Sequence, residues 1–180
     1  MPPLVEQQFA NTLLTQAEQT SLAKISTSSL IQASQLGRQT FYNHFHDKYQ
    51  LITWIFKQDS ERGLQKKHRH DWLDTITAIF NEVYSRHDFY REALTIQGQN
   101  SLRDYLHDYD VQLYTRLFKE LTGSGKLSND TLFALDFYTS GCFESTLTWL
   151  QSARPVDPAE HARQVNLSMP VLLAKQLEQH

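Results

Sequence analysis

Cysteine is almost missing from this chain: Cys142 stands alone among 180 residues. A single thiol excludes an intrachain disulfide and a cysteine-rich zinc site, and leaves Cys142 to act as a small hydrophobe. No apolar run reaches the roughly eighteen residues of a membrane span, and no charged leader precedes an apolar segment. A cytoplasmic protein without membrane or signal segment is therefore expected. Repeats, low-complexity stretches and convincing strand patterns are also lacking. Scattered His, Asp and Ser residues form no recognisable nucleophile, phosphate-loop or zinc motif, so neither an enzyme nor a cofactor is expected.

An excess of positive charge is lacking too, since the net charge is −3. That value speaks against a nucleic-acid partner until it is divided by position. Residues 1–70 carry eight Lys and Arg against five acids, whereas residues 71–180 carry nine against fifteen. An acidic body behind a mildly basic head suits a molecule that touches DNA with one end. The length allows a small head on a larger helical body.

What is present is concentrated between Lys24 and Ile55, in KISTSSLIQASQLGRQTFYNHFHDKYQLITWI. Ser26 or Thr27 can cap a first short helix whose Leu30, Ile31 and Ala33 form an apolar face. Gln35-Leu36-Gly37 interrupts it, and Gly37 can cap a second helix from Arg38 to Phe45. In that helix Phe41 and Phe45 share one face, leaving Gln39, Thr40, Tyr42, Asn43 and His44 largely outside. Two such helices across a tight turn are a helix-turn-helix, whose second helix enters the DNA major groove. Asp47-Lys48-Tyr49-Gln50 then has the spacing of a capping box opening a long helix.

The RQTFYNHF core, with KISTSSLIQASQLG before it and HDKYQL after it, resembles the DNA-binding domain of TetR-type transcriptional regulators. ITWIF, QGQNSLRDYL and TSGCFESTLTWL resemble the Firmicutes-type C-terminal domain of that family, in particular its regulators of dihydroxyacetone kinase operons. The resemblance implies an all-α fold, with residues 1–46 as a helix-turn-helix domain and residues 47–180 as a regulatory and dimerisation domain. It also implies double-stranded DNA and a second copy of the chain as partners. Control would come from a small-molecule effector or from a dihydroxyacetone kinase-like co-activator protein docking on the body. One departure concerns the turn: many family members carry glycine where this chain has Gln35, preceded by alanine where it has Ser34. A positive φ at Gln35 costs about 1 kcal/mol, which points to a looser turn.

Helical spacing accounts for the remaining chain. Val5, Phe9, Leu13, Leu14 and Ala17 mark a helix from near Pro3 to near Gln19. Asp71 can cap a helix through Val83, and a shorter one spans Phe89 to Ile96, closed by Gly98. Ser101–Leu121 is ended by Gly123-Ser124-Gly125. Ser128 or Asn129 opens a helix that is apolar on nearly every side, so that it buries two surfaces. Asp157-Pro158-Ala159-Glu160 caps a final helix in which Pro170 should produce a kink. The total is about nine helices.

Roles follow from chemistry. The amides of Gln39 and Asn43 suit adenine, and Thr40 offers a hydroxyl and a methyl to a base edge. Thr27, Ser28, Tyr42, His44 and Lys48 suit phosphate, while Arg38 can serve either purpose. The family resemblance implies backbone contacts for Tyr42, His44 and Lys48. Trp54, Trp72, Tyr90, Tyr105 and Tyr109 either line an effector cavity or pack the core. Phe137, Phe143, Leu147, Leu150, Val165, Met169 and Leu172 are the candidates for pairing the last two helices with a second copy, or for completing the monomer core. His44 with His46, and His68-Arg69-His70-Asp71, have a spacing of two that turns side chains to different faces, so no metal site is expected. The alternatives left open are a small-molecule-responsive repressor of a transporter or efflux gene, and a helical interaction module that does not bind DNA.

Overall fold

The computed structural model describes residues 4–66, 71–96 and 102–179. Among the described residues there are ten α-helices, one 3-10 turn and no strand. Expectations placed on Pro3, His68, Arg69, His70, Gly98 and Ser101 lie outside the described residues.

Helix α1 (Leu4–Gln19) buries Phe9, Ala10 and Leu13, the apolar positions its spacing indicates. The 3-10 turn Leu22–Lys24 leads to α2 (Thr27–Ser34), and α3 (Arg38–His44) follows after the tight turn. Phe9 meets Phe41 edge-on at 5.1 Å between ring centroids and Phe45 at 6.4 Å. Phe45 in turn meets Trp54 of α4 (Lys48–Lys66) at 6.4 Å. Such edge-to-face contacts add about 0.5–1.5 kcal/mol each to the gain from burial. They fix the inner side of α3, and therefore fix which residues lie outside.

At the start of α4, Asp47 Oδ1 accepts the Gln50 N–H at 2.8 Å. Gln50 Oε1 accepts the His46 N–H at 2.8 Å. Helix α4 then runs from the first three helices into the larger part, packing against α1, α5 (Trp72–Tyr84) and α7 (Leu102–Leu121). At Gly63 α4 lies close against α5: a Cβ there would lie 2.5 Å from the Ala78 carbonyl oxygen. The short α6 (His87–Ala93) begins and ends earlier than its apolar spacing indicates.

Helix α8 (Asn129–Gln151) is capped by Ser128, whose Oγ accepts the Thr131 N–H at 3.1 Å. Its inner side joins a core in which Trp72 meets Tyr114 and Phe118 edge-on and Tyr138 at a tilt. The expected final helix is two helices, α9 (Pro158–Leu167) and α10 (Val171–Leu177), with Pro170 as the N-cap of the second. Proline lacks the N–H that would continue the ladder, so a break replaces the kink and the count rises to ten. Buried Asp110 of α7 is pushed up to about 8 by desolvation, and His161 of α9 is pushed down to about 4. Both are therefore predominantly neutral at pH 7, as burial demands. His161 stacks on Trp149 at 4.5 Å.

Candidate nucleic-acid interface

The entry into α2 is closed by Ser26, one of the two expected caps. Its Oγ accepts the Ser29 N–H at 3.0 Å, and Ser29 Oγ accepts the Ser26 N–H at 3.0 Å. This reciprocal cap leaves Ser28 exposed and Thr27 half-buried on the first turn, beside helix N–H groups suited to phosphate.

The turn into α3 is tight. Gln35 takes φ 58° and ψ 14°, the left-handed conformation usually supplied by glycine. Its neighbour Ser34 is buried and provides the support: Ser34 Oγ donates to Ile31 O at 2.8 Å and accepts the Leu36 N–H at 3.2 Å. Gln8 of α1 donates its Nε2 to Ser34 O at 2.8 Å. The looser turn expected from the missing glycine is thus not seen, because hydrogen bonds hold both sides of Gln35. Gly37 caps α3 as expected, and Phe45 is its C-terminal cap.

On the outer side of α3, Arg38, Gln39, Tyr42, Asn43 and His44 are exposed and Thr40 is half-buried. Gln39 Nε2 donates to Asn43 Oδ1 at 3.0 Å. With the amides so oriented, the pair presents one acceptor, Gln39 Oε1, and one donor, Asn43 Nδ2. Adenine offers the matching donor and acceptor, N6 and N7, on its major-groove edge. The Arg38 guanidinium sits 5.4 Å from the Tyr42 ring centroid, a cation–π contact on the exposed face. His44 Nδ1 lies 3.0 Å from Glu6 Oε1 of α1.

Lys48 is the exception among the DNA-contact candidates. Its Nζ donates to Leu22 O at 3.1 Å and to Ile25 O at 2.9 Å, so the ammonium ties α4 to the 3-10 turn. Partial burial lowers its pKa, with the negative charge of Glu92 acting the other way. Sequence reasoning assigned no role to Lys24, which is exposed at the end of that turn, two residues before the Ser26 cap. Nor did it assign one to Glu92. The Glu92 carboxylate accepts the Leu22 N–H at 2.7 Å and the Ser21 hydroxyl, across seventy positions of sequence where no local pattern signals the contact.

The five aromatic residues considered for an effector cavity separate into two groups. Trp72 and Tyr90 are buried: Trp72 Nε1 donates to Tyr138 OH at 3.3 Å, and Tyr90 OH to Asp59 Oδ2 at 2.6 Å. They pack the core. Trp54, Tyr105 and Tyr109 come together with His44, Gln50, Lys57, Asp108 and Gln112 around a cleft of about 230 Å³ between α3, α4 and α7.

The dimer candidates separate likewise. Phe143, Leu147, Leu150 and Val165 are buried within the single chain, and Met169 packs against its core. Only Phe137 and Leu172 of that set are exposed, at 70% and 42%. The correction follows from helix phase, because an all-round apolar pattern does not say which side faces inward. The exposed large apolar residues of this region include Leu132 (43%), Phe133 (73%) and Phe137 on α8, and Leu167 (70%), Val171 (68%) and Leu172 on α9 and α10. Beside Phe137 lies a groove of about 290 Å³ lined by Gly141, Ser145, Gln164 and Ser168.

Among the described residues, no helix is long and apolar enough to cross a membrane. No group of three His, Cys, Asp or Glu is placed to hold a metal ion among them either.

A TetR-type family model described as "Transcriptional regulator C-terminal region" matches residues 70–170. Over 107 residues the chain is 25% identical to the HTH-type dhaKLM operon transcriptional activator DhaS of Lactococcus lactis subsp. lactis (strain IL1403), a match covering 59% of this chain and 54% of that protein. The chain therefore spans about half the length of this curated relative. A solved structure, the dihydroxyacetone kinase operon activator DhaS, superposes with a TM-score of 0.64 over 97% of each chain at 17% identity. That likeness shows a shared fold.

Proposed function

Because the chain belongs to the TetR-type transcriptional regulators that share this C-terminal region, we propose that it acts as a cytoplasmic homodimer, reading a palindromic operator in double-stranded DNA with α3. Residues 1–46 are the DNA-binding domain, and residues 47–180 are the regulatory and dimerisation domain. The observation that carries this reading is the outer face of α3. An inner cluster of Phe9, Phe41 and Phe45 locks its orientation, and it displays a preformed Gln39–Asn43 amide pair beside Arg38 and Tyr42.

In this reading the amide pair and Thr40 read base edges, while Thr27, Ser28, Tyr42 and His44 contact phosphates. Lys48 supports the site from behind by holding the turn that precedes α2. The second copy covers the exposed side of α8, α9 and α10. Phe133, Phe137, Gly141 and Ser145 recur at four-residue intervals along α8, so a two-fold related α8 can set its phenylalanines against the small residues of its partner. The two recognition helices then enter successive major grooves about 34 Å apart.

Control of a dihydroxyacetone kinase operon is the regulatory role that the similarity to DhaS supports; in this reading a kinase-like co-activator protein would dock on the body. A second reading rests on the cleft lined by Trp54, Tyr105 and Tyr109, in which a small molecule would touch α3 directly. A drug-responsive repressor of a transporter gene would use it in that way.

Mobility-shift titrations on the DNA upstream of the neighbouring genes test the DNA-binding claim. Binding should fall steeply between 50 and 200 mM salt, by orders of magnitude where several phosphates are contacted. The Gln39→Ala/Tyr42→Ala variant should lose specific binding. Absent or salt-insensitive binding to every palindrome of that region would refute it.

A further inference from the structure

Glu6 stands in the first turn of α1, and His44 ends α3 thirty-eight positions later. The two side chains meet, with His44 Nδ1 3.0 Å from Glu6 Oε1. Phe9 of α1 packs on Phe41 and Phe45, which fixes α1 against the end of α3 where the pair sits. The Glu6 side chain is only 15% exposed, and its Oε2 is buried without a hydrogen-bond partner among the described residues. His44 is thus the polar partner of this carboxylate, and 32% of its own side chain stays open to solvent.

An ionised carboxylate only accepts hydrogen bonds, so His44 Nδ1 donates to it. In the neutral ring this leaves Nε2 with a lone pair and no proton. The oxygens of a phosphodiester accept as well, so a neutral His44 in this tautomer meets DNA with acceptor facing acceptor. Uptake of a proton turns Nε2 into a charged donor, whose bond to phosphate is about twice as strong as a neutral one. A carboxylate behind a histidine fixes the ring tautomer in the same way at metal sites.

The other surroundings of His44 do not compete for Nδ1. The ring borders the cleft between α3, α4 and α7, where Lys57, Tyr105, Asp108 and Tyr109 are the titratable side chains. The Lys57 ammonium lies over the Tyr109 ring at 5.2 Å. His46 and Asp47 follow His44 in the chain. Among the described residues, Glu6 alone comes within ion-pair distance of His44.

We propose that Glu6 is a positioning residue that couples DNA binding to proton uptake at His44, by fixing the tautomer whose Nε2 can donate to phosphate only as an imidazolium. Affinity for the operator then rises as pH falls through the ordinary histidine range of about 8 to 5. The proposal rests on the reading of His44 as a phosphate contact. Glu6 itself acts from behind the ring and touches no DNA.

Anisotropy titrations of the palindromic duplex found by mobility shift, at constant ionic strength from about pH 6 to 8, test the coupling. Uptake of about one proton per protomer costs the wild-type dimer up to about a hundredfold in affinity per pH unit on the alkaline side. His44→Asn should flatten this slope, and His46→Asn should keep it. In Glu6→Gln the amide N–H can donate to Nδ1, which moves the ring proton to Nε2 and lets the neutral ring reach phosphate. That variant should lose most of the slope and bind several-fold more tightly than wild type at the alkaline end. Ring-nitrogen NMR spectra of the DNA-free proteins at that end should show the proton on Nδ1 in wild type and on Nε2 in Glu6→Gln. A wild-type affinity independent of pH, a slope that survives in His44→Asn or Glu6→Gln, or a wild-type ring protonated on Nε2 would overturn the proposal. A wild-type protein that binds no palindrome would contradict the regulator reading itself, while the ring spectra would still decide whether Glu6 sets the tautomer.

Discussion

Gln35 occupies a conformation that costs a residue with a Cβ about 1–2 kcal/mol, and Ser34 offsets it with hydrogen bonds on either side. The two residues form one device. Replacing Gln35 by glycine should raise stability by up to about 1 kcal/mol, because relief of the left-handed strain exceeds the extra backbone entropy of glycine. Ser34→Ala should lower it by about 1 kcal/mol through loss of two buried hydrogen bonds. Denaturant titrations of both variants check the pair, and a destabilised Gln35→Gly would contradict the strain argument. At this scale the sequence was readable wherever partners lie close along the chain: the Ser26 cap, the Gly37 cap and the outer set Gln39, Tyr42 and Asn43 all stand where spacing puts them. Lys48 and Glu92 were not readable. Their partners in the turn Leu22–Ile25 lie more than twenty and about seventy positions away, and an exposed-looking charge on a helix gives no sign of which distant carbonyl or N–H it meets.

At the scale of elements, periodicity located nearly every helix and left their phases partly undetermined. Amphipathic α1 and α5 show their buried sides in the spacing of Phe9 and Leu13, or of Ile76, Phe80 and Val83. Apolar residues surround α8, so its inward side depends on what packs there. Phe143, Leu147 and Leu150 turn to the core, and Phe133 with Phe137 turn outward. Gly63 belongs to this scale as well. It carries no signal in the sequence of α4 beyond being glycine in a helix, yet it permits a close approach of α4 to the Ala78 backbone. Gly63→Ala should destabilise the protein by about 1–3 kcal/mol despite the higher helix propensity of alanine, because the obstacle is backbone and the helices must separate. Thermal denaturation measures this, and a Gly63→Ala variant of equal or higher stability would contradict the close packing.

For the whole molecule, the proposed DNA-reading face and the exposed apolar residues of α8–α10 belong to different helices, and a two-fold dimer would join them into one function. In the proposed reading one α3 would read a few base pairs, whereas two held at a fixed separation would read a palindrome, and the dimer interface would set that separation. Phe133, Phe137, Leu167 and Val171 are each 68–73% exposed, and covering such side chains with a second copy would be favourable. The most direct measurement is sedimentation of the protein on a fluorescent duplex carrying the palindrome, comparing wild type with Phe137→Glu. The account predicts two wild-type chains per palindrome, and a Phe137→Glu variant that is folded, monomeric in solution and more than about tenfold weaker on the duplex, since a charge in an apolar interface is left unpaired. A wild-type protein that occupies the palindrome as a single chain, or a Phe137→Glu variant that remains dimeric and binds with unchanged affinity, would contradict it.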